Sequence, residues 1–204
     1  MIDDFIAPSQ SAKQIEAKAL AWRDALDVPN DWAPDVVRIV EIRLSKIFPA
    51  FTLIVRPDTD MGDAEAYTEF NPPLIAVRES VYRLARRHDG RARMTFAHEL
   101  GHLVMHPGAT KLRIESGNKT ASNIKIYESA EWQARKFAAF FLLPRHIVVQ
   151  FASARELSEN CNVSFQAAEI RFQEVGHIQA RPAACVEQLA NALAIRLDQN
   201  PTTK

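Results

Sequence analysis

The feature that most constrains this chain is the stretch FAHELGHLVMH at positions 96–106. It places His98, Glu99, His102 and His106 in surroundings that are otherwise apolar and typical of a buried helix. Burying such polar groups without partners costs several kcal/mol, so any fold that buries this helix must provide partners for them. A metal ion is one such partner, and the spacing of the residues favours it.

His98 and His102 are four residues apart, which in an α-helix places them about 40° apart around the axis and about 6 Å along it. Two imidazoles so placed can bind one metal ion. Glu99 projects from the edge of the same face, where it can act on a water bound to the metal without being a ligand. In this H-E-x-x-H arrangement Zn²⁺ lowers the pKa of the water, and the glutamate takes its proton. The alternative is a pair of core histidines satisfied without metal.

Catalytic zinc usually takes three protein ligands, so a third is expected from elsewhere in the chain. Glu131 is the best candidate, because in a predicted helix it lies in line with Ala134 and Ala138 and faces the same interior. Glu128 is the alternative, and both acids could instead be favoured by the dipole at a helix N-terminus. His106 is interpreted as a residue at a helix C-terminus that is favoured there by the dipole.

Hydrophobic periodicity predicts helices over 11–26, with a capping box formed by Ser11 and Gln14, and over 34–47. The second of these helices is expected to bury Val37, Val40, Leu44 and Ile47. Short runs rich in β-branched residues predict strands at 51–57, 64–70 and 73–77. Further helices are predicted over 79–87, 91–106 and 129–143.

Residues 108–126 predict a long loop, and residues 145–197 predict helices that are interrupted near 160–164 and 176–182. The whole pattern predicts an α+β fold, in which a small three-stranded sheet is flanked by helices and followed by a helical C-terminal part. It divides into N-terminal helices over 1–50, a core over 51–144, and a helical region over 145–204 that contains a pair of helices similar to a helix-turn-helix. The pair is expected to pack through Leu157, Val163, Ala167 and Ile170.

The chain has 25 basic and 25 acidic residues, so its zero net charge gives no indication of a nucleic-acid or anionic-membrane partner. Five arginines within 82–93 could contact nucleic acid or an acidic partner, but a solvated face is the favoured interpretation. The N-terminus has no signal-peptide pattern, and no run of about 18 apolar residues exists. Together with two cysteines that are predicted to be reduced, Cys161 and Cys185, this predicts a cytoplasmic protein.

The motif RMTFAHELGHLVMH, followed by ExxAxxFAAFFLLP, resembles the ImmA/IrrE family of zinc metallopeptidases. The resemblance covers roughly 50–180 and includes NVSFQAAEIRF at 162–172. The chain departs from the family pattern in four ways, none at a presumed ligand: Thr95 and Phe96 stand in reversed order, Gln133 replaces a frequent second glutamate, Arg135 replaces asparagine, and Leu143 replaces methionine.

The resemblance implies a zincin-like fold and a gluzincin-like site with one catalytic Zn²⁺. His98, His102 and Glu131 would be its ligands, and Glu99 the catalytic base. The family also implies a helix-turn-helix repressor as partner, which the protein would cleave or otherwise inactivate and so regulate transcription.

A peptidase also needs a donor that stabilises the oxyanion, for which Tyr127, His146 and His177 are open candidates. A strand near the metal helix is expected to align an extended substrate by strand addition. The alternative function is a zinc-containing regulatory protein that sequesters a partner or binds DNA without proteolysis.

Overall fold

The computed structural model describes residues 6–107 and 125–176. The predicted loop over 108–126 and the predicted break near 176–182 lie almost entirely outside these residues. The described part of the chain has the predicted α+β architecture, with a three-stranded sheet and helices around it. Among the described helices, none combines the length and apolar character needed to cross a membrane.

Helix α1 spans Ala12–Ala25 and begins at the predicted capping box. The Gln14 backbone N–H donates to the Ser11 hydroxyl at 3.3 Å, and the Ser11 N–H donates to the Gln14 side chain at 2.8 Å. Such a cap stabilises a helix by about 1 kcal/mol. Ile15 and Ala19 are fully buried, so α1 packs its apolar face into the core.

The second predicted helix is interrupted by a wider turn. It consists of α2, Val36–Arg38, a π-helical segment, Ile39–Arg43, and α3, Leu44–Ile47. A π turn inserts one residue into the helical repeat, so the buried face shifts along the sequence. Ile39 is therefore buried, whereas Ile47 is 38% exposed, and the prediction that Ile47 faces the core is wrong.

The sheet contains β1 (Thr52–Arg56), β2 (Ala66–Phe70) and β3 (Pro73–Arg78), as predicted. Strand β3 lies in the centre, parallel to β1 and antiparallel to β2. Ile75, Ala76 and Val77 of β3 are all buried, because helices or loops cover both of its faces. Within the described residues β2 is an edge strand, and it packs against α5.

Helix α4 spans Glu79–Arg86, and the two long core helices are α5, Gly90–Met105, and α6, Ala130–Leu142. Helices α5 and α6 pack closely at Gly101. A Cβ atom at this position would lie 3.1 Å from both the Ala134 carbonyl oxygen and a ring carbon of Phe137. The absence of a side chain at Gly101 therefore allows the backbones of α5 and α6 to approach each other.

The C-terminal part contains α7 (Arg145–Val148), α8 (Ala154–Cys161) and α9, whose described part covers 165–176. The predicted break near 160–164 is confirmed, and Asn162 adopts a left-handed conformation there with φ of 50°. A second break, at 149–153, was not predicted. It is stabilised by Ser153, whose hydroxyl accepts the Glu156 backbone N–H at 3.2 Å and so begins α8.

The prediction for the packing of α8 and α9 is correct in part. Leu157 and Val163 are buried, but Ile170 is 49% exposed and Ala167 is only half-buried. The buried face of α9 consists instead of Ala168, Arg171 and Val175. Because Arg171 is polar, this face does not show the apolar periodicity on which the prediction depended.

Two buried arginines bind the C-terminal end of α6. Arg23 of α1 donates to the Phe141 carbonyl oxygen at 2.6 Å, and Arg171 of α9 donates to the Leu143 carbonyl oxygen at 3.0 Å. These carbonyls lack partners within the helix, and a cation there also complements the helix dipole. The N-terminal and C-terminal helices are thus both attached to the end of α6.

The arginine-rich stretch 82–93 is not uniformly solvated. Arg83, Arg86 and Arg87 are exposed, as the favoured interpretation predicts. Arg93, however, is only 1% exposed and donates to the carbonyl oxygens of Asn162 at 2.9 Å and Pro34 at 3.0 Å. Its guanidinium attaches α5 to the regions that precede α2 and follow α8, so Arg93 is a structural residue.

Cys161 is a buried free thiol, and burial raises its pKa to about 11. It is therefore protonated and unreactive at neutral pH. Cys185 lies outside the described residues.

Candidate metal centre

Three side chains from α5 and α6 converge on one point. His98 Nε2 and His102 Nε2 are 3.1 Å apart. One oxygen of Glu131 lies 3.3 Å from His98 Nε2, and the other lies 3.1 Å from His102 Nε2. The sequence therefore identified all three members of the cluster, although they come from two helices.

The helix ends account for this convergence. Asp89 begins α5 by accepting the Ala92 N–H at 2.9 Å, and Ser129 begins α6 by accepting the Trp132 N–H at 3.0 Å. Ser129 also pairs with Ile6 in an isolated β-bridge, which fixes the entry to α6. Glu131 thus lies in the first turn of α6, where the helix dipole favours a carboxylate.

The geometry of the three donors fits a divalent metal ion. Ligand atoms about 2.0–2.2 Å from a tetrahedral zinc are separated by roughly 3.3–3.5 Å. The separations between the three side chains are 3.1–3.3 Å, and their ligand atoms all lie within 4.8 Å of one another. Two imidazole nitrogens and one carboxylate oxygen are also the donor types that zinc takes in catalytic sites. The cluster could therefore hold a metal ion.

The Glu131 carboxylate is held in its charged form. Burial alone would raise its pKa, but hydrogen bonds from His102 and His98 outweigh burial and hold the pKa well below its usual range. The side chain of Glu131 is 17% exposed, so one side of the cluster remains open to its surroundings. A charged and accessible carboxylate is a suitable ligand for a divalent cation.

Glu99 lies beside the cluster but is not one of the three converging donors. It is 6% exposed, and its Oε2 accepts a hydrogen bond of 2.7 Å from the hydroxyl of Thr68 on β2. Glu99 is thus a buried carboxylate beside the three converging side chains, and its role as a base stays a prediction.

A cavity of about 680 Å³ opens onto these residues. Its walls include residues 63–65, which precede β2, and 66–68 of β2, together with side chains from α5 and α6. Arg135 is on the α6 wall, and its Nη2 lies 3.9 Å from Glu131 Oε2. The cavity is large enough to admit part of a peptide chain.

Two of the three candidates for the oxyanion donor are not on this wall. Tyr127 lies in a 3-10 turn that precedes α6, and His146 lies on α7; neither is among the described residues that line the cavity. His177 lies outside the described residues. Arg135 and Tyr67 do line the cavity.

His106 ends α5, as predicted, but the reason given for its position is wrong. It is 4% exposed, and its Nε2 lies 3.1 Å from the side-chain oxygen of Gln133 on α6. Burial lowers the pKa of His106 to about 4, so the imidazole is uncharged at neutral pH. A neutral ring gains little from the helix dipole, and its Nε2 instead contacts Gln133.

Glu128, the alternative third ligand, does not belong to the converging group of described residues. It ends the 3-10 turn Ile126–Glu128, and its backbone oxygen accepts the Ala7 N–H at 2.8 Å. Glu128 thus contacts Ala7 through its backbone oxygen, whereas the side chain of Glu131 contacts His98 and His102.

Three residues near the site were not identified as functional candidates from the sequence: Thr68, Gln133 and Arg135. Thr68 lies in a predicted strand with no pattern that marks its hydroxyl. Gln133 and Arg135 were noted only as departures from a motif. A signal was available for Gln133, because it is a polar residue on a buried helix face and replaces a glutamate that is frequent in the motif.

Comparison with known proteins supports the interpretation of the cluster. A search of curated proteins finds no match. The model of the family Peptidase_M78, described as the IrrE N-terminal-like domain, matches residues 56–173, which is more than half of the chain and includes both helices that carry the cluster. This agrees with the resemblance found in the sequence and supports a metallopeptidase-type function. The chain therefore belongs to the Peptidase_M78 family.

Proposed function

We propose that this protein is a zinc-dependent endopeptidase. The observation that carries the proposal is the convergence of His98, His102 and Glu131, whose ligand atoms all lie within 4.8 Å of one another, on the wall of a cavity that can admit part of a peptide. Membership of a peptidase family supports the same reaction class. The choice of zinc rests on the two imidazoles and one carboxylate, because harder ions such as Mg²⁺ prefer oxygen ligands.

In this proposal His98, His102 and Glu131 hold the ion. Bound zinc would supply Lewis-acid activation of the attacking water and of the scissile carbonyl. Glu99 accepts the proton of the attacking water on its carboxylate and passes it to the nitrogen of the leaving amine. Arg135 offers guanidinium donors on the cavity wall that can stabilise the developing oxyanion.

The substrate is proposed to bind as an extended segment along β2. The Arg78 N–H donates to the Glu65 carbonyl at 3.0 Å, so Glu65 and Arg78 form a hydrogen-bonded pair of the β2–β3 ladder. Such pairs alternate in antiparallel strands. Ala66, Thr68 and Phe70 therefore direct their backbone groups to the edge of the sheet, where no further described strand pairs with β2. A peptide could add to this edge as a further strand.

A helix-turn-helix repressor is the proposed physiological substrate, and the cytoplasm the proposed compartment. This part of the proposal rests on the resemblance to the ImmA/IrrE family. A repressor would need to present an accessible, extended segment, since a folded helix pair cannot pair with β2.

The test compares the wild-type protein with Glu99→Gln, both loaded with zinc. Substrates are a mixture of synthetic peptides and a small helix-turn-helix protein encoded next to the gene, if one is present. We expect both proteins to bind one zinc and the variant to lose about 10²–10⁴-fold in cleavage rate. Equal cleavage by the two proteins would contradict the role of Glu99. If wild type and Glu99→Gln inactivate the repressor equally and neither cleaves it, the result would instead support a regulatory zinc protein that does not act as a peptidase.

A further inference from the structure

The hydroxyl of Thr68 contacts the proposed base from the side of the sheet. Its Oγ1 lies 2.7 Å from Glu99 Oε2 and 3.1 Å from the Glu99 backbone oxygen. Thr68 is 5% exposed and Glu99 is 6% exposed, so the contact is shielded from solvent. A hydroxyl has one proton, and the shorter distance identifies the carboxylate as its principal acceptor.

The position of this hydroxyl is fixed. The Thr68 backbone is paired with Ile75 in the central strand, and threonine is β-branched, so few side-chain rotamers are available. The glutamate side chain, in contrast, has three rotatable bonds. A bond from a fixed donor to Oε2 restricts this freedom and leaves Oε1 as the oxygen for proton transfer.

The same residue also borders the edge of β2 that carries no further strand within the described part of the chain. By the alternation of the ladder, the backbone N–H and C=O of Thr68 point away from β3, towards the edge where a substrate strand is proposed to add. One residue thus connects the substrate-binding edge with the carboxylate that acts on the substrate. Its backbone and side chain would set the distance between the scissile bond and the base.

We propose that Thr68 is a positioning residue that orients Glu99 for proton transfer and aligns it with a substrate bound on β2. The inference rests on the proposed peptidase function and adds a residue to it. Thr68 acts through Glu99 and is not itself a ligand or a base.

The test uses zinc-loaded wild type, Thr68→Val, Thr68→Ser and Glu99→Gln, with a synthetic peptide that wild type cleaves and Glu99→Gln does not. Valine has nearly the shape of threonine but no hydroxyl. We expect Thr68→Val to lose about 10–100-fold in kcat, which is typical for the loss of an outer-shell partner, with little change in KM or bound zinc. Thr68→Ser keeps the hydroxyl and is expected to retain most of the activity.

Thr95→Val is the matched control. Thr95 also lines the cavity, but its hydroxyl contacts the Glu65 carboxylate at 3.2 Å and the Arg91 backbone oxygen at 3.2 Å instead of Glu99. Removal of this hydroxyl is expected to lower kcat far less than Thr68→Val does. If Thr68→Val does not fold, Thr68→Ala carries the same expectation with a smaller side chain.

Three results would overturn the proposal: wild-type kcat in Thr68→Val, an equal loss of kcat in Thr68→Ser, or a loss that lies in KM or zinc content alone. Failure of the proposed function would look different. In that case no peptide would separate wild type from Glu99→Gln, and the role of Thr68 would fall with it.

Discussion

His102 and His106 lie one turn apart on α5, and each meets a polar side chain of α6, but the two pairs have opposite character. His102 Nε2 lies 3.1 Å from a carboxylate oxygen of Glu131, beside a cavity. His106 Nε2 lies 3.1 Å from the amide oxygen of Gln133, where the glutamine is fully buried. The first pair has a negative charge and an opening, and the second has neither.

The difference shows what separates a histidine that could ligate a metal from a structural one. Both residues are histidines on the same helix with similar contact distances, so residue type and spacing do not distinguish them. The charge of the partner and access to the cavity do. A carboxylate attracts a cation, whereas a buried amide offers a neutral hydrogen bond that suits a neutral imidazole.

The largest effect is expected from removing the negative charge of Glu131 from the first pair, which it forms with His102. Glu131→Gln gives this pair the same amide partner as the second. We expect its zinc affinity to fall by more than about 100-fold, because the loss of an outer-shell partner alone costs 10–100-fold. Competition with a chromophoric chelator measures the affinity. Glu128→Gln is the matched control and should bind zinc like wild type, whereas equal losses in both variants would contradict the choice of Glu131.

The second pair is tested by removing its amide. Gln133 accepts from Gln10 at 2.9 Å, contacts His106, and donates to the carbonyl oxygens of Pro8 and Tyr127, each at 2.9 Å. Gln133→Leu leaves these four groups without that partner, and two of them belong to the buried residues Gln10 and His106. We expect it to lower the free energy of unfolding by about 3 kcal/mol.

Urea denaturation of the metal-free protein measures this loss. The exposed Gln150 is the matched control, and Gln150→Leu should cost less than about 1 kcal/mol. Equal stabilities of Gln133→Leu and Gln150→Leu would show that the buried pair contributes nothing to the fold.

The pH dependence of stability sharpens the comparison further. The pKa of His106 is about 4 in the folded protein, below the ordinary value of 6.5, because the ring is buried. Below pH 6.5 the unfolded chain therefore binds a proton that the folded protein does not. The part of the unfolding free energy that depends on a neutral His106 is fully present above pH 6.5. It is lost as pH falls, by about 2 kcal/mol between pH 7.5 and pH 5.

His106→Gln should remove this part of the slope, since glutamine does not titrate. The measurement is the difference in unfolding free energy between variant and wild type, followed from pH 7.5 to pH 5 in metal-free buffer. A constant difference across this range would mean that His106 is protonated equally in the folded and unfolded states.

The sequence was sufficient for features that depend on local periodicity. The spacing of His98, Glu99 and His102 follows from one helix, and Glu131 follows from the apolar face of another. Contacts between distant segments could not be predicted. Thr68 and Glu99 are 31 residues apart, and His106 and Gln133 are 27 apart, and no local pattern encodes such pairs.

The errors in the fold have similar physical causes. A π turn within residues 36–47 shifted the buried face by one residue, which moved Ile47 towards solvent. In α9 Arg171 is buried instead of the predicted Ile170, because backbone and side-chain oxygens satisfy its guanidinium. Both cases depend on tertiary contacts that compensate for an unfavourable local pattern.

The most direct test of the central claim is an anomalous diffraction measurement at the zinc absorption edge on crystals of the zinc-loaded protein. The account predicts one strong peak, bounded by His98 Nε2, His102 Nε2 and a carboxylate oxygen of Glu131, each about 2.0–2.2 Å away. It also predicts no peak beside His106. A zinc peak at any other site, or none at the three residues in fully loaded protein, would contradict it.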